Sequence, residues 1–326
     1  MRYLYIPASF GKTFLCFVFV LFATFSASSQ VDTLKWINEQ AYPLHSDATM
    51  GNSDLHFLKN ELKGKSIVAL GEASHGTHEF YTEKSRIISY LIENCGFRSV
   101  AFEIPDSVMM QINSFVHGEQ VDLKKIMKGL GLYGTEEIYG LFVKLRDHNR
   151  NSSPEKQVTL KGFDKPEYWS DPISRDGFMA ENVIKMVSDK DNKIILWAHN
   201  VHVLKDTTAK YMSMGGYLKK HFDDRYFALA MDTYQGSVNV MDSAREFEAH
   251  TFQTNEHTLS GWLSKARSDR FYLKFDATQN PFKDTISFIT NIYSNWQELK
   301  PIPIHPGIDI DAIIFIKNTT PSTKLK

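Results

Sequence analysis

The chain has 326 residues, 37 Lys and Arg against 38 Asp and Glu, and a formal net charge of −1. That balance argues against nucleic acid as a partner, since phosphate binding needs a basic face, and the length suits one large α/β domain or two small ones. Of its two cysteines, Cys16 falls in a leader-like segment; the rest of the chain holds only Cys95, so a hydrophobic core and not an internal disulfide must carry stability.

Residues 1–29 read as a secretory signal peptide. Arg2 and Lys12 precede an apolar run from Phe14 to Ala23, and small residues follow through Ser29. The run is well short of the roughly 20 apolar residues that cross a bilayer, so no permanent membrane anchor is expected. Cleavage near Ser29 leaves an exported (periplasmic or secreted) domain, residues 30–326, with a formal charge of −3.

Short apolar runs then alternate with polar turns and helical periods. The runs are Ser66–Leu70, Ser99–Ile104, Val158–Asp164, Lys193–Ala198, Tyr226–Met231, Phe271–Phe275 and Ala312–Ile316. Unbroken runs of this length read as strands buried on both faces, the signature of a parallel sheet. Between the first two, Phe80, Lys84, Ile87, Ile88, Leu91 and Ile92 repeat at helical spacing and Gly96 marks the stop, which makes a strand–helix–strand crossover. Residues 105–150 carry helical periods (Val108, Met109, Ile112, Phe115; Leu141, Phe142, Leu145) broken by Gly129, Gly131 and Gly134. They predict a helical cap over one edge of the sheet, either a substrate lid or ordinary packing. The expected fold is α/β, a mainly parallel central sheet flanked by helices. Cys95, at a helix end, reads as a small buried hydrophobe.

Polar clusters leave the ends of four runs, where open α/β sheets bind ligands. Gly71-Glu-Ala-Ser-His-Gly-Thr77 follows the first, its two glycines suggesting a tight turn close to a ligand. Glu103 lies near the end of the second. Asp164 ends the third, with Arg175 and Asp176 further on, and His199-Asn-Val-His202 follows the fourth. Taken singly, each is as well explained by helix capping or backbone hydrogen bonding; together on one edge they point to a cleft. The chain has no Gly-x-Ser-x-Gly elbow and no phosphate-cradling loop ending in Lys-Ser/Thr. Ser74 adjoins His75, but neighbours on a turn point apart. Two chemistries stay open on residues alone: a water activated by histidine, or a zinc-type site drawn from Glu72, His75, Glu103, His199 and His202. A third reading is a non-catalytic pocket for haem or another small molecule.

These clusters resemble the erythromycin esterase-like family. The resemblance rests on Gly71-Glu72-x-x-His75-Gly76-Thr77, Phe-Glu103, Arg175-Asp176-x-x-Met179-Ala180-x-Asn182, Trp197-Ala198-His199-Asn200-x-His202-Val203, Met214-Gly215 and the run after Asp311, in that order along the chain. It implies a metal- and cofactor-free hydrolase of a lactone or other carboxylic ester, with the macrolactone of erythromycin-type antibiotics as one candidate substrate. By position, His75 matches the general base, Glu72 and Glu103 the carboxylates around it, and His199 and His202 the facing histidines. Lys84 stands where the family commonly has arginine, keeping the charge without the planar fork. The resemblance makes His75 the acceptor of a proton from the attacking water. Glu72 or Glu103 fixes its tautomer, and His199, His202, Arg175 or Lys84 supply donors to the oxyanion.

Overall fold

Seven apolar runs become seven strands of one sheet. The computed structural model describes residues 32–45, 51–187, 192–244, 246–276 and 279–326, with the side chains of residues 172 and 173 also left aside; the segment read as a signal peptide lies outside the described residues. Strands are numbered β1 (Tyr42–Pro43), β2 (Ile67–Leu70), β3 (Ser99–Pro105), β4 (Thr159–Asp164), β5 (Ile194–Trp197), β6 (Tyr226–Asp232), β7 (Gln235–Met241), β8 (Phe247–Gln253), β9 (Arg270–Lys274), β10 (Ser287–Ile289), β11 (Ile302–Ile304), β12 (Ala312–Ile316) and β13 (Asn318–Thr319). The main sheet has eight strands in the order β1-β9-β12-β6-β2-β5-β3-β4.

From β12 to β4 all neighbours are parallel. The run Phe271–Phe275 departs from the parallel expectation: it supplies β9, which is antiparallel to β12 and pairs in the same sense with β1. Its two faces are buried like those of the parallel strands, with Phe271 and Leu273 in one core and Tyr272 in the other, and burial carries no mark of direction.

Alternation within each strand builds two cores. Val68, Leu70, Val100, Phe102, Ile195 and Trp197 face one helical layer, and Ile67, Ala69, Ala101, Ile194 and Leu196 face the other. The helix His78–Cys95 ends at Gly96, whose φ of 76° is the left-handed stop its sequence announces. Residues 105–150 fold as helices Asp106–Val116, Leu123–Lys128 and Glu136–Arg150 with a 3-10 turn at Gly131–Tyr133. Met109, Ile112, Phe115, Leu141, Phe142 and Leu145 join the first core, so most of this region is a flanking layer; its single turn at Tyr133 reaches the site described below. Cys95 is half-buried and unbridged, packed against that core.

A second sheet, β13-β7-β8, and the hairpin β10–β11 were not expected, because their half-exposed, polar strands lack unbroken apolar runs. Among the described residues no helix is long and apolar enough to cross a membrane.

The topology sets the site. The chain builds β2, β3 and β4 outward, then returns to insert β5 between β2 and β3, and β6 lands on the other side of β2. The carboxyl ends of β2, β5 and β3 therefore lie side by side where the strand order reverses, the crevice of an open α/β sheet.

Candidate active site

The loop after β2 is held against the rest of the protein on all sides. Gly71 N donates to Leu229 O at 2.8 Å, and Glu72 O accepts from Asn200 N at 2.8 Å. A Cβ on Gly71 would sit 2.2 Å from Asn200 Oδ1, and one on Gly76 only 1.7 Å from Asn239 O. The two glycines thus make room for the protein's own chain, a different use from the ligand approach their spacing suggested. Ser74 Oγ is paired with Thr77 Oγ1 and not with His75.

This loop aims His75 into the crevice. Its Nδ1 lies 2.7 Å from Glu72 Oε1, while Nε2 lies 3.9 Å from Glu103 Oε2, too far for a direct hydrogen bond. Behind it, Glu72 Oε2 lies 2.8 Å from Lys84 Nζ, and both side chains are fully buried. Lys84 also donates to Ala198 O at 3.0 Å and lies 4.8 Å from the centre of the Trp197 ring. Burial brings the Lys84 ammonium down to about 8, although the Glu72 carboxylate pulls the other way.

Glu103 sits where the register of β3 against β4 shifts between Phe102 and Pro105. Its Oε1 lies 2.8 Å from Arg175 Nη2 and 3.1 Å from His202 Nε2; its Oε2 accepts from His199 N at 3.0 Å. Burial alone would raise this carboxyl, but His202, then His75 and Arg175, hold it well below the usual carboxylate range. Arg175, on the helix Pro172–Met186, also grips Asp164 at the end of β4, with Nη2 2.8 Å from Oδ2 and Nε 3.3 Å from Oδ1. His202 Nδ1 lies 2.7 Å from Asp176 Oδ1. Burial works against charging His202, yet Glu103 and Asp176 overcome it and raise the imidazole to about 10, so it is an imidazolium at neutral pH.

The five residues Glu72, His75, Glu103, His199 and His202 meet here, with Lys84 and Arg175 on the far sides of the two glutamates. His199 differs from its neighbours. It caps the helix Asn200–Val203: Nδ1 accepts from Val201 N at 3.3 Å, and Nε2 donates to Ala73 O and Ile292 O at 3.1 and 3.2 Å. Burial, with the neighbouring His75 as the second cause, depresses it to about 3. It is a neutral imidazole with both nitrogens committed to main chain, its ring centre 5.0 Å from that of His75, and it has no donor left for an oxyanion.

Several residues at the site escaped the sequence reading, Tyr133 foremost. Tyr133 lies 5.2 Å from His75, ring centre to ring centre, and is 8% exposed. The signal that could have found it is the Gly131-Leu-Tyr-Gly134 spacing, since a Cβ on Gly134 would lie 2.6 Å from Met127 O. Around the rim, Tyr293 stacks on His199, Tyr211 donates to Val201 O at 2.6 Å, and Trp169 donates to Asp164 Oδ2 at 2.7 Å. Among the described residues no group of three His, Cys, Asp or Glu side chains is arranged to hold a metal ion.

Comparison with known proteins places this geometry in context. A Bacillus subtilis (strain 168) protein named "Putative hydrolase YbfO" is 35% identical over 159 residues, covering 46% of this chain and 34% of that protein. Erythromycin esterase type II of Escherichia coli is 28% identical over 135 residues, 40% of this chain and 31% of that one. The matched stretches thus span only about a third of these curated relatives. Among solved structures, a Bacillus cereus protein superposes with a TM-score of 0.80 at 19% identity, over 91% of this chain and 99% of its own. A mutant of the erythromycin esterase EreC in its open conformation superposes with a TM-score of 0.63 at 15% identity, over 87% and 97%. At these identities the superpositions speak to fold alone. The family model of erythromycin esterase matches residues 92–171 and 166–319, well over half of the sequence, and the chain belongs to the erythromycin esterase family.

Proposed function

We propose that this chain hydrolyses a carboxylic ester or lactone, with His75 activating the attacking water. The observation that carries the reading is the asymmetry of the His75 ring: Nδ1 is bound to the Glu72 carboxylate at 2.7 Å while Nε2 has no hydrogen-bond partner among the described residues and faces Glu103 at 3.9 Å. An Nδ1–H donated to Glu72 leaves the Nε2 lone pair to take a proton, the arrangement of a general base with its orienting carboxylate.

In this mechanism water attacks the carbonyl carbon as its proton passes to His75 Nε2, and the π electrons move onto the carbonyl oxygen. Glu72, paired with Lys84, stabilises the imidazolium that forms. Glu103 is fixed by Arg175, His202 and His199 N, and orients the water from the other side. Collapse of the tetrahedral intermediate expels the alkoxide, which recovers the proton from His75, so ester and water become acid and alcohol. The family and its E. coli relative named as an erythromycin esterase make macrolides a natural part of the substrate screen. Export, with residues 1–29 as signal peptide, belongs to the same proposal.

The test is turnover of macrolides and simple aryl esters by purified residues 30–326, beside His75→Ala. Loss of about 10²- to 10⁴-fold in kcat with unchanged circular dichroism is expected; near wild-type turnover by the variant would exclude His75 as the base.

A further inference from the structure

The oxyanion needs a donor, and most of the candidates around His75 are already committed. Lys84 is engaged by Glu72, Ala198 O and the Trp197 ring. His199 spends both nitrogens on main chain, and His202 spends its own on Asp176 and Glu103. Arg175 gives Nε and Nη2 to carboxylates and, among the described residues, keeps only Nη1 uncommitted, 3.4 Å from the protonated His202 Nε2, which cannot accept from it. One buried donor beside His75 stands apart from this pattern. The Tyr133 hydroxyl has no hydrogen-bond partner among the described residues, although the side chain is only 8% exposed. Buried hydroxyls are almost always satisfied, and an exception calls for a reason, a catalytic role among them.

The surroundings hold this group still. Its ring is 5.2 Å from His75 and stacks on Tyr81 at 6.4 Å and 17°. Tyr81 itself donates to Leu132 O at 3.0 Å, and Thr135 N bonds back to Tyr133 O at 2.9 Å, so the turn that carries the phenol is fixed on both sides. Burial, followed by the charges of Glu103 and Glu72, keeps the phenol protonated far above its ordinary range.

We propose, on the ester-hydrolysis reading above, that Tyr133 is a further catalytic residue: its O–H donates a hydrogen bond, without transferring its proton, to the oxygen that becomes negative when water adds to the carbonyl. A preorganised donor aimed at developing charge acts on the transition state and little on the bound substrate.

Tyr133→Phe removes the hydroxyl and keeps the ring. With para-nitrophenyl butyrate as substrate, kcat should fall about 10²-fold while KM stays within about twofold. Inhibition by a phosphonate monoester of the same aryl alcohol should weaken by a factor close to the loss in kcat/KM. The melting temperature should hold or rise, because the lost hydroxyl has no partner among the described residues. Unchanged kcat, or a lowered melting temperature with kcat and KM altered together, overturns the assignment of Tyr133 alone. Absence of turnover on every ester by the wild-type chain would overturn the hydrolase reading and this one with it.

Discussion

His75 and Lys84 hold opposite oxygens of one carboxylate, Glu72, at 2.7 and 2.8 Å. Neither Glu72 nor Lys84 is exposed, so removal of one strands the other in a place water does not reach. Lys84→Met should therefore destabilise the fold by about 3–5 kcal/mol, read as a lower urea midpoint. It should also reduce kcat, because Glu72 loses the partner that holds it in place against His75. Wild-type stability in Lys84→Met would mean that the ion pair is not the partner Glu72 depends on.

The same pair predicts an alkaline limit to turnover. Lys84 titrates at about 8, and above that pH Glu72 loses the cation behind it. The pH–rate profile should fall there. Lys84→Arg keeps its charge throughout this range, so its alkaline limb should move upward even where the larger side chain lowers kcat overall. An alkaline limb at the same pH in both proteins would assign it to another group.

His199 and His202 pull stability in opposite directions with pH. The native value of His202 is raised to about 10 from an ordinary 6.5, so its contribution is full below about 6.5 and is lost as pH rises toward 10. The native value of His199 is depressed to about 3, so its contribution is full above 6.5 and is lost as pH falls toward 3. By themselves these two histidines place greatest stability near 6.5, each contributing a slope of up to about 1.4 kcal/mol per pH unit on its own side of a chemical-denaturation profile. Asp232, raised by burial to about 7, opposes the His199 slope on the acid side. His202→Asn should flatten the alkaline flank and His199→Asn the acid flank. If either variant kept both flanks, the assignment of that flank would fail.

These two histidines also mark how far the sequence could be read. Glu72, His75, Glu103 and His202 were legible because each ends an apolar run. Runs buried on both faces imply a parallel sheet, and a parallel sheet gathers its strand ends along one edge. His199 has the same placement and the same residue type, yet Ala73 O and Ile292 O, brought in from distant parts of the chain, occupy its Nε2. Such contacts leave no local trace. Tyr133 was hidden for a similar reason: it sits on a turn inside a helical stretch, and only tertiary packing carries that turn to His75. The antiparallel sense of β9 was hidden because hydrophobic pattern reports burial and not direction.

Gly76 is the position in the His75 loop least able to change. A Cβ there would overlap Asn239 O at 1.7 Å, and this is backbone that cannot swing away. Asn239 N donates to Gly76 O at 3.0 Å, and Asn239 Nδ2 is tied to Ser322 O at 2.5 Å. Gly76→Ala should therefore displace the loop, lower the melting temperature and cut kcat by at least about tenfold through misplacement of His75. A Gly76→Ala protein with wild-type kcat would show that the loop tolerates the shift and that His75 is positioned by Glu72 alone.

Residues 320–325 fasten both the His75 loop and the turn carrying Tyr133. His78 N donates to Thr320 O at 3.0 Å and Ser322 N to Gly76 O at 2.9 Å, which pins the His75 loop. Glu136 N donates to Thr323 O and Leu325 N to Gly134 O, each at 2.9 Å, which pins the turn carrying Tyr133. Glu137 reinforces the second clamp, with Oε1 2.6 Å from His78 Nδ1 and 2.9 Å from Thr323 N. Two truncations separate these roles. Removal of residues 324–326 takes away the Gly134 bond and the buried Leu325, and burying a leucine contributes roughly 1.5–3 kcal/mol. It should lower the melting temperature and loosen only the Tyr133 turn. Removal of residues 321–326 also takes away the Ser322 N bond to Gly76 O, leaving Asn239 N as its partner; on the proposal that His75 is the base, kcat should fall in two steps across the series, with the second step the larger. Equal kcat in both truncated proteins and the full chain would show that the two loops hold their geometry without the tail.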